Sequence, residues 1–264
     1  MPTGDLNGWR YAYTDEGSGP PVVLLHGLLM DRSMWDHQID DLAKDHRVVA
    51  IDAPGHGESA TVEVGIDFWR YAEMVAGVCD QLGIGEAVWG GQSMGGFTGL
   101  RAALTTPSRV KGLVLIDTQA HEEDREKLAQ YEAFLQVALA DGVSDDLATI
   151  ILTLLFSGTY AADPDSAIWR KKLVEEDVNA HLAIIRAVYD RDEIHDRVPE
   201  IACPAVVIHG EEDISIEIER GEELANTLKD ATFVRIPAAG HASPVENPEP
   251  VTKAIREFVD RIGA

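Results

Sequence analysis

Three residues that lie far apart in this chain, a serine, a histidine and an aspartate, have the side chains needed for nucleophilic catalysis. Ser93 has a glycine two residues away on each side, and His241 and Asp213 each lie in a glycine-containing turn after an apolar run. A serine hydroxyl is a weak nucleophile at neutral pH, so it needs a base that takes its proton and returns it to a leaving group. The base in turn needs a carboxylate to orient it. The pattern predicts Ser93 as nucleophile, His241 as base and Asp213 as orienting acid.

The glycines around Ser93 have a steric explanation. The apolar residues before Ser93 predict a strand, and the small residues from about Gly96 to Leu104 predict a helix. A direct turn from strand to helix strains the backbone at the serine and brings neighbouring turns so close that side chains at 91 and 95 would collide. Such a turn could also bind phosphate, but a phosphate loop opens its helix with Lys-Ser or Lys-Thr, which this chain lacks. The arrangement is typical of a nucleophile elbow.

Two backbone amides are candidates for stabilising the negative charge that forms when Ser93 attacks a carbonyl. The N–H of Met94 opens the helix after the serine. The apolar run 22–25 ends in His26-Gly27-Leu28, and a loop leaving a central strand there can present the N–H of Leu28 to the same place. Two donors on one oxygen form an oxyanion hole. His26 itself is expected to brace the loop by hydrogen bonding.

The choice of His241 and Asp213 depends on where strands end. His241 lies in the loop 237–244 beyond the last strand, and Asp213 follows the strand 205–208, so both emerge at the same edge of the sheet as the elbow. Asp213 also completes the chain order serine, aspartate, histidine. The competing carboxylates are Glu211, Glu212 and Asp117.

The other polar residues that attract attention are expected to have structural or surface roles. His56 and Asp52 lie in a loop with two glycines and a proline, and they are expected to brace the rim of the site. Five further histidines lie on helical or connecting segments and are expected at the surface: His37, His46, His121, His181 and His195.

The elements that position these residues follow an alternating pattern. Apolar runs alternate with amphipathic helical segments up to residue 118 and again from 198, which predicts a mostly parallel eight-stranded sheet flanked by helices. Between them, residues 119–197 contain helical patterns only. We therefore expect a core of residues 1–118 and 198–264, with 119–197 as a helical lid over the ligand-binding edge. Candidates for its apolar pocket wall are Ile150, Ile151, Leu154, Leu155, Phe156 and Trp169.

Composition narrows the possible partners. With 46 acidic and 22 basic residues, the 264-residue chain carries a net charge of −24, which argues against nucleic acid or an anionic membrane as partner. The N-terminus shows no secretory pattern, and no apolar stretch is long enough to span a bilayer. Cys79 and Cys203 are expected to be thiols and not a disulfide or metal site. A cytoplasmic protein without cofactor or metal, acting on a small molecule, is the expectation.

Five motifs in register resemble those of the α/β-hydrolase family along nearly the whole chain. They are His26-Gly27 with Trp35 downstream, Asp52-x-Pro54-Gly55-His56-Gly57-x-Ser59, Gly91-Gln92-Ser93-Met94-Gly95-Gly96, Gly210-x-x-Asp213, and Gly240-His241 with Glu246-x-Pro248. The resemblance implies the α/β-hydrolase fold and a cofactor-free hydrolase that uses the residues named above. Serine at the elbow separates the chain from the dehalogenase and epoxide hydrolase branches, which have aspartate there.

Within the family, the elbow and the short lid look most like the enol-lactonase and carboxylesterase group. Hydrolysis of a carboxylic ester or lactone is therefore the leading hypothesis. The alternatives are a perhydrolase of the metal-free haloperoxidase type, a ligand receptor with little turnover, and a carbon-carbon hydrolase of ring-cleavage products. The last should need basic side chains for the substrate carboxylate. The lid offers Arg125, Lys127, Arg170, Lys171, Lys172, Arg186, Arg191 and Arg197, most of which are expected to face solvent.

Overall fold

A computed structural model describes residues 2–175 and 177–264 of the chain. Eight strands form one sheet in the order β1-β2-β4-β3-β5-β6-β7-β8. The first two strands pair in antiparallel fashion and the other six run parallel, which confirms the predicted mostly parallel sheet. The strands are β1 Thr3–Leu6, β2 Trp9–Gly17, β3 Pro21–Leu25, β4 Arg47–Ile51, β5 Ala87–Gln92, β6 Val110–Ile116, β7 Ala205–Gly210 and β8 Ala231–Ile236.

Helices cover both faces of the sheet, which explains why the central strands are continuous apolar runs. Alternate residues of β3 enter different apolar clusters: Val23 and Leu25 join one, while Val22 and Leu24 join the other. The helices are α1 Asp36–Leu42, α2 Phe68–Gln81, α3 Met94–Thr105, α4 Arg125–Asp141, α5 Asp145–Leu155, α6 Gly158–Ala161, α7 Ala167–Glu175, α8 Val178–Tyr189, α9 Ile218–Thr227, α10 Ser243–Glu246 and α11 Pro248–Ile262.

The register of the parallel strands brings the chemical residues to one edge. Leu25 at the end of β3 pairs with Gly91 in β5, and Gln92 pairs with Ile116 at the end of β6. The loop that begins at His26 and the turn at Ser93 therefore leave adjacent strands side by side. The carboxyl ends of β7 and β8 meet at the same edge, since Gly210 pairs with Ile236.

Five helices, α4 to α8, separate β6 from β7, and we term them the insertion helices. Three of them, α4, α5 and α8, share a small apolar cluster that includes Leu135, Leu147 and Ile185. Helices α5 and α7 also contribute to the apolar cluster on one face of the sheet. The predicted all-helical character of residues 119–197 agrees with the structure, because the described residues in this range form helices and no strand. Among the described residues, no helix combines the length and apolar character needed to cross a bilayer.

Candidate active site

The turn at Ser93 has the strained geometry that the sequence predicts. Ser93 has φ 51° and ψ −112°, a backbone conformation that residues other than glycine rarely adopt. A Cβ placed on Gly91 would lie 2.1 Å from the carbonyl carbon of Gly95, so only glycine fits. A Cβ on Gly95 would lie 2.2 Å from the carbonyl oxygen of Leu25 in β3. The collision at position 95 is thus with the neighbouring strand, which the sequence pattern did not indicate.

His241 and Asp213 meet at this edge. The Nδ1 of His241 lies 2.8 Å from Oδ2 of Asp213, whose other oxygen accepts hydrogen bonds of 2.9 Å from the amides of Ser215 and Ile216. Burial alone would raise the pKa of Asp213, but the charge of His241 and hydrogen bonds to His209 and His241 hold that pKa below its usual value. An ionised Asp213 accepts a hydrogen bond from the Nδ1–H of His241, which leaves Nε2 as the basic nitrogen.

The charge of Asp213 also acts on His241, the predicted base. Burial lowers the pKa of His241, but the negative charge and hydrogen bond of Asp213 outweigh burial and raise it above 6.5. The competing carboxylates do not make this contact: Glu211 and Glu212 are exposed, and Asp117 bonds elsewhere.

Asp117 links two segments that carry predicted site residues. It follows β6 directly, and its Oδ1 accepts the Gly210 amide at 2.8 Å. Its Oδ2 accepts the amide and the hydroxyl of Ser243 at 3.0 and 2.7 Å. Burial raises the pKa of Asp117 to about 7. Asp117 therefore joins the end of β7, which leads to Asp213, to the segment just after His241.

His209, which the sequence analysis did not single out, also supports Asp213. Its ring is fully buried, and Nε2 lies 2.8 Å from the carbonyl oxygen of Ile216 and 3.2 Å from Oδ2 of Asp213. Potential ligand atoms of Asp117, His209 and Asp213 lie within 4.8 Å of one another, a spacing that could hold a metal ion. The oxygens of both aspartates already accept hydrogen bonds, so we interpret this group as a support for the acid. Its position at the end of β7 was the signal available in the sequence.

Gln92 was also missed, although it directly precedes the serine. Its Nε2 donates a hydrogen bond to the carbonyl oxygen of His241, so the elbow is tied to the histidine loop. A Cβ on Gly27 would lie 1.8 Å from Oε1 of Gln92, which explains the glycine in the His26-Gly27 motif. The side chain of Gln92 thus fills the space between the two loops.

The loop histidines have the bracing contacts that were expected. His26 accepts the Ala53 amide at Nε2 (2.8 Å), and its Nδ1 lies 2.7 Å from the carbonyl oxygen of Gly27. His56 accepts the Leu29 amide at 3.2 Å. Burial lowers the pKa of both histidines, so both rings are neutral braces.

Asp52 braces the same rim. Its carboxylate is fully buried and accepts the amides of Arg32 and Glu58 at 2.8 and 3.0 Å. The expectation of surface exposure is wrong for two of the remaining histidines, because His46 and His181 are only 4% and 2% exposed. His46 packs against the C-terminal carbonyl of Ala264. His181 on α8 packs against His56 with ring centroids 4.3 Å apart and ring planes tilted by 59°.

The two predicted oxyanion donors, the amides of Leu28 and Met94, belong to the segments that follow β3 and β5. Met94 is the first residue of α3, so its N–H has no acceptor within the helix. Leu28 lies beside Ser93 in the lining of a cavity. The amide of the next residue, Leu29, is occupied by His56. Leu28 and Met94 remain predicted donors.

A cavity of about 160 Å³ lies between this edge and the insertion helices. Ser93 and His241 line its base, and apolar side chains of the insertion helices line most of the remainder. Of the predicted wall residues, Ile151, Leu154 and Leu155 line the cavity.

Three other predictions for the wall are wrong. Ile150 is 41% exposed and does not line the cavity, although Leu154, one turn further along α5, does. Phe156 and Trp169 are buried against each other, with ring centroids 6.3 Å apart, and do not line the cavity. The helical period was readable in the sequence, but the face that turns toward Ser93 was not.

A carboxylate joins the insertion helices to the histidine loop. Oε1 of Glu246 accepts the amide of Gly240, the residue before His241, and Oε2 accepts the amide of Ser157, both at 2.8 Å. A Cβ on Gly240 would lie 2.4 Å from the Ser157 nitrogen, so the two segments are in close contact. Burial raises the pKa of Glu246.

A second group of possible metal ligands lies away from the cavity. Atoms of His121, His195 and Glu223 lie within 4.8 Å of one another, where the insertion begins and ends. The two imidazole rings stack at 4.4 Å, and the ring nitrogens of His121 contact Glu193 and Glu223 at 3.1 and 2.9 Å. We interpret these contacts as hydrogen bonds near the surface.

Comparison with known proteins agrees with the fold. A profile described as the alpha/beta hydrolase fold matches residues 20–248. A thermophilic esterase from Thermogutta terrifontis superimposes with a TM-score of 0.90 at 31% identity, covering 99% of this chain and 97% of that one. The enol-lactonase from Burkholderia xenovorans LB400 superimposes with a TM-score of 0.90 at 28% identity, covering 98% and 100%. The (E)-2-((N-methylformamido)methylene)succinate hydrolase of Acinetobacter baylyi is 26% identical over 94% of this chain and 93% of its own length.

Proposed function

This chain belongs to the alpha/beta hydrolase family, and we propose that it cleaves a carboxylic ester or lactone. Ser93 attacks the carbonyl carbon while Nε2 of His241 takes the hydroxyl proton. The amides of Leu28 and Met94 stabilise the oxyanion, and His241 returns the proton to the leaving alcohol. Water activated by His241 then releases the acid from the acyl-enzyme.

The observation that carries this proposal is the pairing of His241 with Asp213 beside the strained Ser93. All three residues are less than 10% exposed, so the base works in a site of low dielectric where the charge of Asp213 is weakly screened. The predominantly apolar cavity suits an uncharged acyl or lactone group. The similarity to an esterase and to an enol-lactonase supports the same class of substrate.

The deciding experiment compares wild-type protein with Ser93→Ala on 4-nitrophenyl acetate and on a simple lactone. We expect wild-type protein to turn over many times and to be labelled at Ser93 by a fluorophosphonate. The variant should lose on the order of 10⁴-fold or more in kcat, because residual catalysis then comes from the oxyanion donors alone. Single-turnover labelling without continued hydrolysis would instead indicate a receptor, and unchanged activity in Ser93→Ala would overturn the assignment.

A further inference from the structure

The apolar cavity has one polar side. Glu123, Tyr131, Arg191 and Ser215 all line it. Among the eight basic residues of the segment 119–197, all of which the structure describes, Arg191 alone lines the cavity, and it is only 6% exposed. Burial, with a contribution from the charge of Glu123, raises the pKa of Tyr131 to about 12. The polar side therefore combines a neutral phenol with an ion pair.

Arg191 is held by several contacts but keeps one donor nitrogen unused. Its Nε donates to the carbonyl oxygen of His121 at 2.9 Å, and Nη1 donates to Glu123 at 2.8 Å and to the Val188 carbonyl at 3.0 Å. The guanidinium carbon lies 4.6 Å from the centre of the Phe97 ring. Within the described part of the chain, the buried Nη2 has no hydrogen-bond partner. Buried donors without an acceptor are rare and costly, so a ligand oxygen is the natural acceptor.

Glu123 determines what kind of oxygen fits. The Glu123 and Arg191 side chains are 10% and 1% exposed, so their charges balance each other in a poorly solvated place. Among the described residues that line the cavity, no second lysine or arginine could balance a further carboxylate. A substrate carboxylate placed here would meet uncompensated repulsion, whereas an uncharged oxygen would accept from Nη2 without adding charge.

We propose that Arg191 binds an uncharged oxygen acceptor, such as a ketone, amide or lactone carbonyl, on the part of the substrate that lies in the cavity. The substrate class is thus an ester or lactone with a second neutral carbonyl beyond the scissile one. This inference rests on the ester or lactone hydrolysis proposed above. It disfavours substrates whose second polar group is a carboxylate.

Matched sets of 4-nitrophenyl esters test this preference. Each set keeps the acyl length constant and compares three acyl groups: a plain alkanoyl chain, a chain that ends in a methyl ketone, and a chain that ends in a carboxylate. The esters of hexanoate and 5-oxohexanoate and the glutarate half-ester form one such set. Two further sets use pentanoate and heptanoate with their analogues, so that the test covers several distances between the scissile carbonyl and the second carbonyl of the substrate. In wild-type protein we expect kcat/KM for the ketone to exceed that of the plain ester by about tenfold at one length or more. The carboxylate should be the poorest substrate of its set.

Two variants separate the effect of the Arg191 donor from the effect of the Glu123 charge. Glu123→Gln keeps the Arg191 donor but removes the balancing charge, so kcat/KM for the carboxylate should rise at least about fivefold relative to the plain ester. Adding Arg191→Met to Glu123→Gln removes the donor without leaving a buried carboxylate unpaired, and the ketone preference should disappear. Arg197→Met is the control, since that side chain is 44% exposed and pairs with Glu200. In Arg197→Met, the kcat/KM values of the ketone and of the carboxylate, each relative to the plain ester, should stay as in the wild-type protein.

Three outcomes would overturn the inference: no ketone preference at any length, a preference that survives in the double variant, or a wild-type preference for the carboxylate. If the double variant melts at a much lower temperature, the inference is judged on the rise in kcat/KM for the carboxylate substrate in Glu123→Gln alone. Failure of the inference is distinguishable from failure of the proposed function. Calorimetry of the corresponding methyl esters on Ser93→Ala measures the same preference without hydrolysis.

Discussion

The two sides of the cavity hold their residues by different means. On the sheet side, Ser93 is held by backbone atoms that approach too closely for any side chain at positions 91 and 95, and Asp213 is held by two amides. On the other side, the insertion helices present apolar side chains that contact one another mainly by packing. Backbone geometry tolerates few substitutions, while packed side chains can be exchanged at modest cost. The residues proposed for catalysis therefore depend on backbone geometry at the strand ends, and the residues proposed to contact the substrate belong to a surface that tolerates exchange.

The largest effect is expected where the base meets its carboxylate. Asp213→Asn should lower kcat on 4-nitrophenyl acetate by roughly 10⁴-fold, because the amide no longer stabilises the charged, correctly oriented imidazole. It should also move the acid limb of the kcat/KM profile to lower pH, since burial then lowers the pKa of His241 without the opposing charge. In wild-type protein we expect that limb above the ordinary imidazole pKa, because the charge of Asp213 raises the pKa of His241, and activity should fall as pH decreases through it.

Asp117→Asn is the matched control for this prediction. Asp117 is equally buried, but its oxygens accept from Gly210 and Ser243 and not from His241. We expect less than about a tenfold loss of kcat. Losses of equal size in the two variants, measured at pH 8, would contradict the assignment of Asp213 as the orienting acid.

A second pair tests the rigidity of the elbow. Gly95→Ala places a Cβ 2.2 Å from the carbonyl oxygen of Leu25, so we expect about 3 kcal/mol or more of destabilisation. The midpoint temperature of thermal unfolding should fall by roughly 6–12 °C. Gly99→Ala lies on the same helix, where the nearest atom would be a Leu113 methyl at 3.4 Å. That variant should be neutral or slightly stabilising, because alanine favours helix more than glycine does. Equal melting temperatures for both variants would show that the elbow can relax.

The smallest effect is expected on the insertion side. Ile151→Phe adds volume to a residue that lines the cavity, so kcat/KM for a 4-nitrophenyl octanoate should fall about tenfold while the acetate ester changes by less than about threefold. Ile150→Phe is its neighbour on α5 and is 41% exposed, so it should change neither value. A loss that is the same for both esters would mean that Ile151 acts on the catalytic residues and not on the acyl chain.

The sequence predicted the sheet side of the site far better than the insertion side. Gly91, Gly95 and Ser93 were recognisable because a backbone requirement leaves a residue signature at fixed spacing. His241 and Asp213 were recognisable because each follows a strand end and parallel strands end at one edge. The wall residues could not be assigned one by one, since Ile150 and Ile151 share type and neighbourhood and differ only in the face that turns toward the cavity.

Support residues fell between these two cases. Gln92 and Asp117 act through contacts between segments more than 90 positions apart, which the spacing along the chain does not encode. His209 contacts Asp213 only four residues away, but a histidine at the end of an apolar strand does not by itself indicate that role. The buried ion pair of Arg191 with Glu123 was equally hidden, because a charged residue on a helical segment is normally solvated. In this chain, residues whose position is set by the backbone were predictable, and residues whose role is set by a distant partner were not.

The contact of Glu246 with both Gly240 and Ser157 has a practical consequence for protein engineering. Anyone who replaces the insertion with one from another hydrolase, in order to acquire its substrate range, removes the amide at 157 that the carboxylate accepts. The transplanted segment would have to supply an N–H at that spot, or the loop carrying the base would lose one of its anchors. A transplanted insertion must therefore reproduce the hydrogen bond to Glu246 as well as the volume of the cavity wall.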